Sequence, residues 1–248
     1  MKPLILYDNR LSNGTPIAST TAAGYAVANL TDWRGYTWWK PTALPATITV
    51  DCGSAKSADY ALIHSHDLFS KGCSVEVRGS SDGFGASNVL LASLTPTSDA
   101  PVLLTFNAVS YRYWRITLTG AGSMPALAIA AIGSRLELPT YLPQGFDPTT
   151  RKVVGKRNTS SAGQSLGRVV DFEQWEQSIS LQRVPWSWIR ATWIPAWQAH
   201  LRSAPFGFAW DKDTDATDVK LVTAGDDFST PHYSGSTADL SFDLEAVT

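Results

Sequence analysis

The chain has 248 residues, of which 44% are hydrophobic and 17% are charged, and it contains ten tryptophans. This length can bury one large core or two modest cores, and the composition excludes a disordered chain. The formal net charge of -2 gives no support for a nucleic acid bound through bulk electrostatics, so we predict no nucleic-acid partner.

The N-terminal residues carry one lysine and an apolar run that is too short for a secretion signal. No run of about 18 apolar residues occurs anywhere in the chain, so we expect no membrane insertion and folding in a cytoplasm. Cys52 and Cys73 are interpreted as buried free thiols, because two cysteines do not make a disulfide framework.

The first part of the chain is predicted to be rich in β-strands. Apolar and polar residues alternate at 46–51 and at 74–78, and Gly, Ser or Asp follows each run. This period of two places one face of each strand in a core. Further strands are predicted at residues 2–7, 89–94, 101–106, 111–118 and 126–138.

An aromatic-rich loop precedes the strand at 46–51. Sugars bind where a flat aromatic face stacks on C–H groups and neighbouring polar side chains, here Asp32, Arg34 and Lys40, fix the hydroxyls. The possible glycan-contact loop comprises Asp32, Trp33, Arg34, Tyr36, Trp38 and Trp39. The alternative is that these rings plug the end of a barrel or pack on another domain, since tryptophans are usually largely buried.

Five sequence pieces occur in a fixed order along the first 138 residues. They are Asn29-Leu-Thr-Asp-Trp33, Ile48-Thr-Val-Asp-Cys-Gly53, Ala58-Asp-Tyr60, Ser74-Val-Glu-Val-Arg-Gly79 and Tyr111-Arg-Tyr-Trp-Arg-Ile116. This order resembles the discoidin family, the coagulation factor 5/8 type C domains with a galactose-binding-like fold. The resemblance implies a jelly-roll β-sandwich for residues 1–138, in a family whose ligand loops vary freely.

Residues 139–167 differ from the preceding strands. Three prolines punctuate the segment, and the basic residues Arg151, Lys152, Lys156 and Arg157 follow without an intervening acid. Long segments without periodicity are usually functional or disordered. We interpret residues 139–167 as a linker or an extended basic arm.

The second domain is predicted to cover residues 168–248. A long strand is expected at 169–182, and shorter strands at 206–211, 218–223 and 238–247. Trp186, Ile189, Trp193, Trp197 and Leu201 are three or four residues apart, which predicts a helix with one apolar stripe. Pro195 falls inside this helix and predicts a kink or a new helix start, since proline lacks the backbone N–H.

The order of strand, helix, Pro205-Phe-Gly-Phe-Ala-Trp-Asp211 and two strands resembles the β-sandwich-plus-helix module of tail tubes and distal tail rings in long-tailed phages. The resemblance covers roughly residues 168–248. It implies a structural component of a phage tail tip or baseplate that contacts itself and other tail proteins in the virion, with possible host-glycan contact by the first domain. The alternative function is a carbohydrate-binding adhesion module without a ring-building role.

The tryptophans of the second domain favour assembly, because aromatic residues and arginine are enriched at interface centres. We expect Trp193, Trp197 and Trp210 in the core, and Trp186 or Trp188 at a partner. The possible assembly interface comprises Arg151, Lys152, Lys156, Arg157, Trp186 and Trp188. The acidic segment at 211–245 could meet the basic arm of a neighbouring copy, or the two could pair within one subunit or stay solvated.

The sequence lacks the Gly-x-Ser-x-Gly and His-Glu-x-x-His motifs and a Gly-rich phosphate loop, so we predict no catalysis, no cofactor and no metal. His64, His66 and Asp67 form the best metal or acid–base cluster, which we interpret as surface or packing residues. Residues 211–215 begin like a calcium loop. Ala216 and Val222 occupy the positions that need Gly and Glu, so the calcium interpretation fails.

Overall fold

The computed structural model describes residues 2–247, and strands dominate them, as the alternating sequence predicts. Fourteen strands lie within this range: Leu4–Tyr7 (β1), Ile17–Ala18 (β2), Ala46–His66 (β3), Cys73–Ser80 (β4), Val89–Leu94 (β5), Val102–Gly120 (β6), Leu127–Glu137 (β7), Lys152–Thr159 (β8), Ser165–Gln174 (β9), Glu176–Pro185 (β10), Phe206–Ala209 (β11), Val219–Ser229 (β12), His232–Ser234 (β13) and Thr237–Ala246 (β14). The mainly β fold class is confirmed.

The helices are few and short. Arg10–Asn13 is an α-helix (α1), and Val27–Thr31 is a 3-10 helix. A run of four consecutive segments, which we call the Trp-rich helix, comprises Trp186–Trp188 (α2), Ile189–Trp193, Ile194–Ala196 (α3) and Trp197–Leu201. Over residues 2–247, no helix has both the length and the apolar character that crossing a bilayer requires.

The chain forms two compact units, and the first is built from Met1–Leu138 and Phe206–Lys220. Its strands follow the order β11-β1-β7-β3-β6-β4-β5, and β2 pairs with the start of β3. β3 and β6 are antiparallel partners along most of their length, with irregularities between Asp51 and Lys56 and between Ala58 and Tyr60. Such bulges bend and twist a ladder, which lets both strands pass from one layer to the other.

Both halves of the long strand β3 contribute to one core. Ile48 and Val50 come from its beginning, Ala61 and Ile63 come from its end, and all four are buried in the same cluster. Buried and half-buried residues alternate along β4, as the sequence predicts. The first unit is therefore a two-layer antiparallel β-sandwich, in which Trp39 and Trp114 fill the space between the layers.

Strand β11 corrects the predicted domain boundary. Residues 206–220 were predicted to belong to the second domain, but β11 pairs antiparallel with β1, and Ile5 lies opposite Phe208. Phe206 and Phe208 are buried, so this apolar segment extends the layer beside β1. Because β11 is far from β1 along the chain, no local sequence pattern predicts this pairing.

The second unit comprises Pro139–Pro205 and Leu221–Thr248. Strands β10 and β14 are antiparallel, and β14 also pairs with β12 and β13. In the Trp-rich helix, the ring centroid of Trp193 lies 4.6 Å from Phe242 of β14, and Trp197 lies 5.0 Å from Phe228 of β12. The buried positions of Trp193 and Trp197 confirm that both belong to the core.

The predicted helical stripe is present, and Pro195 lies in the α-helical segment Ile194–Ala196. The flanking segments Ile189–Trp193 and Trp197–Leu201 have the wider π-type hydrogen bonding. For example, the backbone N–H of Ile194 donates to the carbonyl of Ile189, five residues earlier. A proline inside a helix removes one regular hydrogen bond, and a π-type turn accommodates such a disruption.

The segment predicted as a linker or extended arm contains strand β8, which forms a two-stranded antiparallel sheet with β9. We call this pair the β8–β9 hairpin. The single long strand expected at 169–182 is instead two strands, β9 and β10, with the buried Trp175 between them.

Candidate functional site

The aromatic loop, residues 32–39, is hydrogen-bonded to the sandwich near its C-terminal end. Trp39 and Leu127 exchange two backbone hydrogen bonds of 2.8 and 3.0 Å, which tie the loop to the start of β7. The side chain of Asn29 donates to the carbonyl of Trp38 at 2.8 Å. These bonds fix the point where the loop leaves the core.

Asp32 braces the loop from inside. Its Oδ1 accepts a hydrogen bond from the backbone N–H of Arg34 at 2.9 Å, and its Oδ2 accepts one from the Thr37 hydroxyl at 2.7 Å. Trp33 between them has a φ of 60°, a left-handed conformation that is uncommon for residues other than glycine. The Asp32 carboxylate is therefore occupied by the loop itself and holds the turn in one shape.

The tip of the loop is open to solvent. Tyr36 is 69% exposed, and Arg34 is also exposed. Gly35 lies against the end of β3, since a Cβ placed on it would be 3.4 Å from the Ser65 hydroxyl. The tip thus brings an aromatic ring, a guanidinium group and a hydroxyl to one part of the surface.

The three tryptophans of the loop differ in burial. Trp39 is fully buried, and its Nε1 donates to the Thr21 hydroxyl at 3.2 Å. Its assignment as a glycan contact is therefore wrong, and the alternative, a ring that plugs the sandwich, applies to this residue. Trp33 and Trp38 are half-buried, so each leaves part of its ring accessible.

His64, His66 and Asp67 lie at the end of β3, close to the loop tip, and each has a partner within the first unit. His64 Nδ1 and the Ser65 hydroxyl are 2.9 Å apart, and His66 Nδ1 accepts from the backbone N–H of Leu68 at 3.3 Å. Burial lowers the pKa of His64 to about 4, so the ring is neutral at pH 7. Across residues 2–247, no group of three or more His, Cys, Asp or Glu side chains could hold a metal ion.

Asp67 has a structural role at the same end of the sandwich. Its Oδ1 accepts a hydrogen bond of 2.6 Å from the backbone N–H of Ala126, just before β7, and Lys71 lies 4.0 Å from its Oδ2. The carboxylate therefore connects two loops.

The acidic loop at 211–215 is closed by its own hydrogen bonds. Asp211 Oδ1 accepts from the backbone N–H groups of Asp213 and Thr214 at 3.1 and 3.2 Å. These bonds hold the pKa of Asp211 below its ordinary value. The loop has the contacts of a turn between strands.

Three of the six predicted assembly residues lie on the β8–β9 hairpin, and a fourth directly precedes it. Lys152, Lys156 and Arg157 lie on β8, Arg151 directly precedes it, and all four are exposed. Lys152 forms an ion pair of 2.6 Å with Glu176 of the same chain.

Trp186 and Trp188 lie in the Trp-rich helix, on a different element from the basic residues. Both are half-buried. The Trp186 ring lies 5.3 Å from the Arg190 guanidinium, and the Trp188 ring lies 6.3 Å from Trp193. Each ring thus has a partner within the second unit and retains some exposed surface.

The exposed apolar residues of β9 were not predicted from the sequence. Leu166, Val169, Val170 and Phe172 are between 48% and 67% exposed, although they lie in a strand that looked suitable for a core. Arg168 and Asp171, which interrupt the apolar residues, were a sequence signal for this exposure.

Comparison with known proteins identifies carbohydrate-binding modules as structural neighbours. No family model matches the chain, and no curated protein matches it. Chitosan-binding module 1 of a chitosanase/glucanase from Paenibacillus sp. IK-5 is 21% identical, covers 50% of this chain and 98% of that module, and has a TM-score of 0.44. The CBM32 of AlyQ, in complex with 4,5-unsaturated mannuronic acid, is 25% identical, covers 51% of this chain and 96% of that one, and has a TM-score of 0.43.

A longer enzyme matches over a similar share of this chain. A GH29 fucosidase from Ruminococcus gnavus, in complex with fucose, is 19% identical and has a TM-score of 0.45. The match covers 52% of this chain and 27% of the fucosidase. At this identity and TM-score, none of these similarities determines the ligand of this chain.

Proposed function

We propose that this chain is a non-catalytic carbohydrate-binding protein whose aromatic loop contacts a glycan. The observation that carries the proposal is the exposed ring of Tyr36 at the tip of a loop that is hydrogen-bonded to the sandwich. Asp32 and the Trp39–Leu127 backbone pair hold the loop in shape before any ligand binds. A preformed site loses less conformational entropy on binding than a mobile one.

The chemistry of the tip suits a sugar. A tyrosine ring offers an apolar face to the C–H groups of a pyranose, and its hydroxyl can exchange hydrogen bonds with the ligand. Arg34 supplies hydrogen-bond donors, and the Ser65 hydroxyl beside Gly35, which already bonds to His64 Nδ1, offers its oxygen as an acceptor. The site is an open surface, so we expect it to bind part of a longer glycan with modest affinity.

A glycan array tests this function. The full chain should bind a defined subset of neutral glycans in a saturable way, and Tyr36→Ala should lose most of that signal while keeping its thermal unfolding temperature. Tyr141→Ala is the matched control, because Tyr141 is 66% exposed but lies in the second unit. Equal binding by Tyr36→Ala and the wild type would show that the Tyr36 ring does not contact the glycan.

A second candidate function, assembly into a larger structure, is favoured by the β8–β9 hairpin. A two-stranded hairpin is at best marginally stable in water, and large exposed apolar patches mark interaction sites. This hairpin exposes Leu166, Val169, Val170 and Phe172. In this proposal the chain is a structural component of a phage tail tip or baseplate in the virion, an assignment that rests on sequence resemblance alone.

Charge supports a second copy of the chain as the partner of the hairpin. Arg157 and Arg168 lie directly opposite each other on the two strands, and like charges in that position are unfavourable. Asp226 and Asp227 are exposed near the end of β12 and have the opposite charge. A head-to-tail contact of this kind builds rings or filaments.

Sedimentation velocity tests the assembly proposal. The wild type should sediment as a concentration-dependent oligomer at low salt, and the double variant Val170→Ser with Phe172→Ser should sediment as a monomer. A wild type that stays monomeric at high concentration would exclude self-assembly through the hairpin.

A further inference from the structure

The outer face of the layer formed by β3, β6 and β4 carries two arginines opposite each other. Arg115 on β6 is the register partner of Arg78 on β4 and of Thr49 on β3. Directly paired residues project from the same side of a sheet, with Cβ atoms about 5 Å apart. The neighbouring residue Trp114 points into the core, so the two arginines lie on the outside.

Arg115 is held in one orientation. Its Nε donates a hydrogen bond of 2.9 Å to the Thr49 hydroxyl, and its guanidinium carbon lies 3.7 Å from the centroid of the Phe84 ring. Within residues 2–247, no acidic side chain pairs with Arg115, and its two Nη atoms donate no hydrogen bond to the protein. Arg115 is therefore an ordered cation with unused donors.

Arg78 has part of its charge compensated. Its Nε lies 2.8 Å from Glu76 Oε2, and its Nη1 donates to Asn88 Oδ1 at 3.2 Å. One carboxylate thus accompanies two guanidinium groups. Burial, followed by the charge of Arg78, lowers the pKa of Arg115, as expected for two guanidinium groups on one face of a sheet.

The surroundings of the pair are polar and rich in hydroxyls. Thr47 and Thr117 are paired in the same ladder two residues along from Thr49 and Arg115, so they project from the same face. Hydroxyl groups can both donate to and accept from sugar hydroxyls. The Phe84 ring adds an apolar surface beside the charged groups.

We propose that Arg78 and Arg115 form a binding site for the carboxylate or sulfate group of an acidic polysaccharide. An arginine fork matches such an anion with two parallel hydrogen bonds, and one anion between the two side chains offsets their repulsion. The inference goes beyond the proposed function because it defines a second site and a ligand class. It rests on that function only in taking a glycan as the ligand.

Calorimetric titration of the full chain with tri-galacturonic acid at low ionic strength tests the inference. The wild type should bind, and Arg115→Gln and Arg78→Gln should each weaken binding by roughly tenfold or more. Arg183→Gln is the matched control, because Arg183 also stacks on an aromatic ring, Tyr233 at 5.1 Å, and should bind like the wild type. Thermal unfolding of each variant verifies that the fold is intact.

A parallel titration with Tyr36→Ala separates this inference from the proposed function. Retained binding of tri-galacturonic acid by Tyr36→Ala, together with its loss in Arg115→Gln, supports the second site. Unchanged binding in Arg115→Gln, or no binding of tri-galacturonic acid by the wild type, would overturn the inference. This holds whether or not neutral glycans bind to the aromatic loop. Equally tight binding of inorganic sulfate alone would overturn the assignment to a polysaccharide.

Discussion

Trp39 and Leu127 exchange a pair of backbone hydrogen bonds, although they lie 88 positions apart in the sequence. The pair joins the aromatic loop to the start of β7, and the Trp39 ring is buried in the same core as Ile48 and Trp114. Tyr36, only three residues earlier, is exposed. One aromatic residue thus anchors the loop and another presents a surface to a ligand.

Trp39→Ala should cost stability, whereas Tyr36→Ala should not. Deleting a fully buried aromatic ring leaves a cavity and typically lowers the free energy of unfolding by about 3–5 kcal/mol. Removing an exposed ring with no core contact typically changes the free energy of unfolding by about 0.5 kcal/mol or less. Urea denaturation of both variants tests the difference, and a Trp39→Ala protein as stable as the wild type would contradict the anchoring role.

Asp32→Ala should weaken glycan binding without removing any of the proposed contacts. The carboxylate accepts bonds from Arg34 and Thr37, and without them the tip must be ordered by the ligand. We expect an affinity loss of roughly fivefold to tenfold, about 1 to 1.4 kcal/mol. Amide hydrogen exchange should show faster exchange at Arg34 in the free variant, and unchanged exchange would show that the brace is dispensable.

His64 should make the protein less stable in mild acid. Burial, followed by the nearby charge of His66, lowers the pKa of His64 to about 4 in the folded state, whereas an unfolded histidine titrates near 6.5. The contribution of the neutral ring to the free energy of unfolding is fully present above the unfolded-state pKa. This contribution is lost as the pH falls toward the folded-state pKa. This linkage amounts to about 3 kcal/mol between those two values.

Urea denaturation between pH 7 and pH 4 measures the effect. His64→Gln should flatten this pH dependence, whereas His232→Gln, at an exposed position of the second unit, should not. An identical pH dependence in His64→Gln and the wild type would contradict a buried neutral histidine.

Gly155→Val should break the β8–β9 hairpin selectively. A Cβ on Gly155 would lie 2.1 Å from the carbonyl oxygen of Val169, so a side chain there forces the two strands apart. We expect faster amide exchange in β8 and β9, normal exchange in the first unit, and loss of any self-association seen in the wild type. Lys156→Gln, at the neighbouring position of β8, leaves the close contact between Gly155 and Val169 intact and should exchange like the wild type. Wild-type exchange in β8 and β9 of Gly155→Val would contradict the tight packing.

The local pattern predicted the strands well, because alternation along β4 and the first part of β3 reflects a real division between core and solvent. The helical stripe through Trp193 and Trp197 could be predicted for the same reason. The pairing of β11 with β1 could not be predicted from the sequence, since no local signal connects segments about 200 residues apart.

The candidate site could be predicted from the sequence only in part. Consecutive aromatic residues in a loop follow no helical or strand period, so the sequence could not separate the buried Trp39 from the exposed Tyr36. The Arg78–Arg115 pair depends on the register of two strands, which the alternating pattern does not specify.

Chemical-shift mapping of the isotope-labelled full chain, titrated with a neutral glycan selected on the array, locates the glycan site on the molecule. We expect saturable shifts concentrated at the amides of residues 33–38 and Ser65, with little change at residues 80–88 elsewhere in the first unit. Saturable shifts confined to residues outside 33–38 and 65 would contradict the assignment of the glycan site to the aromatic loop.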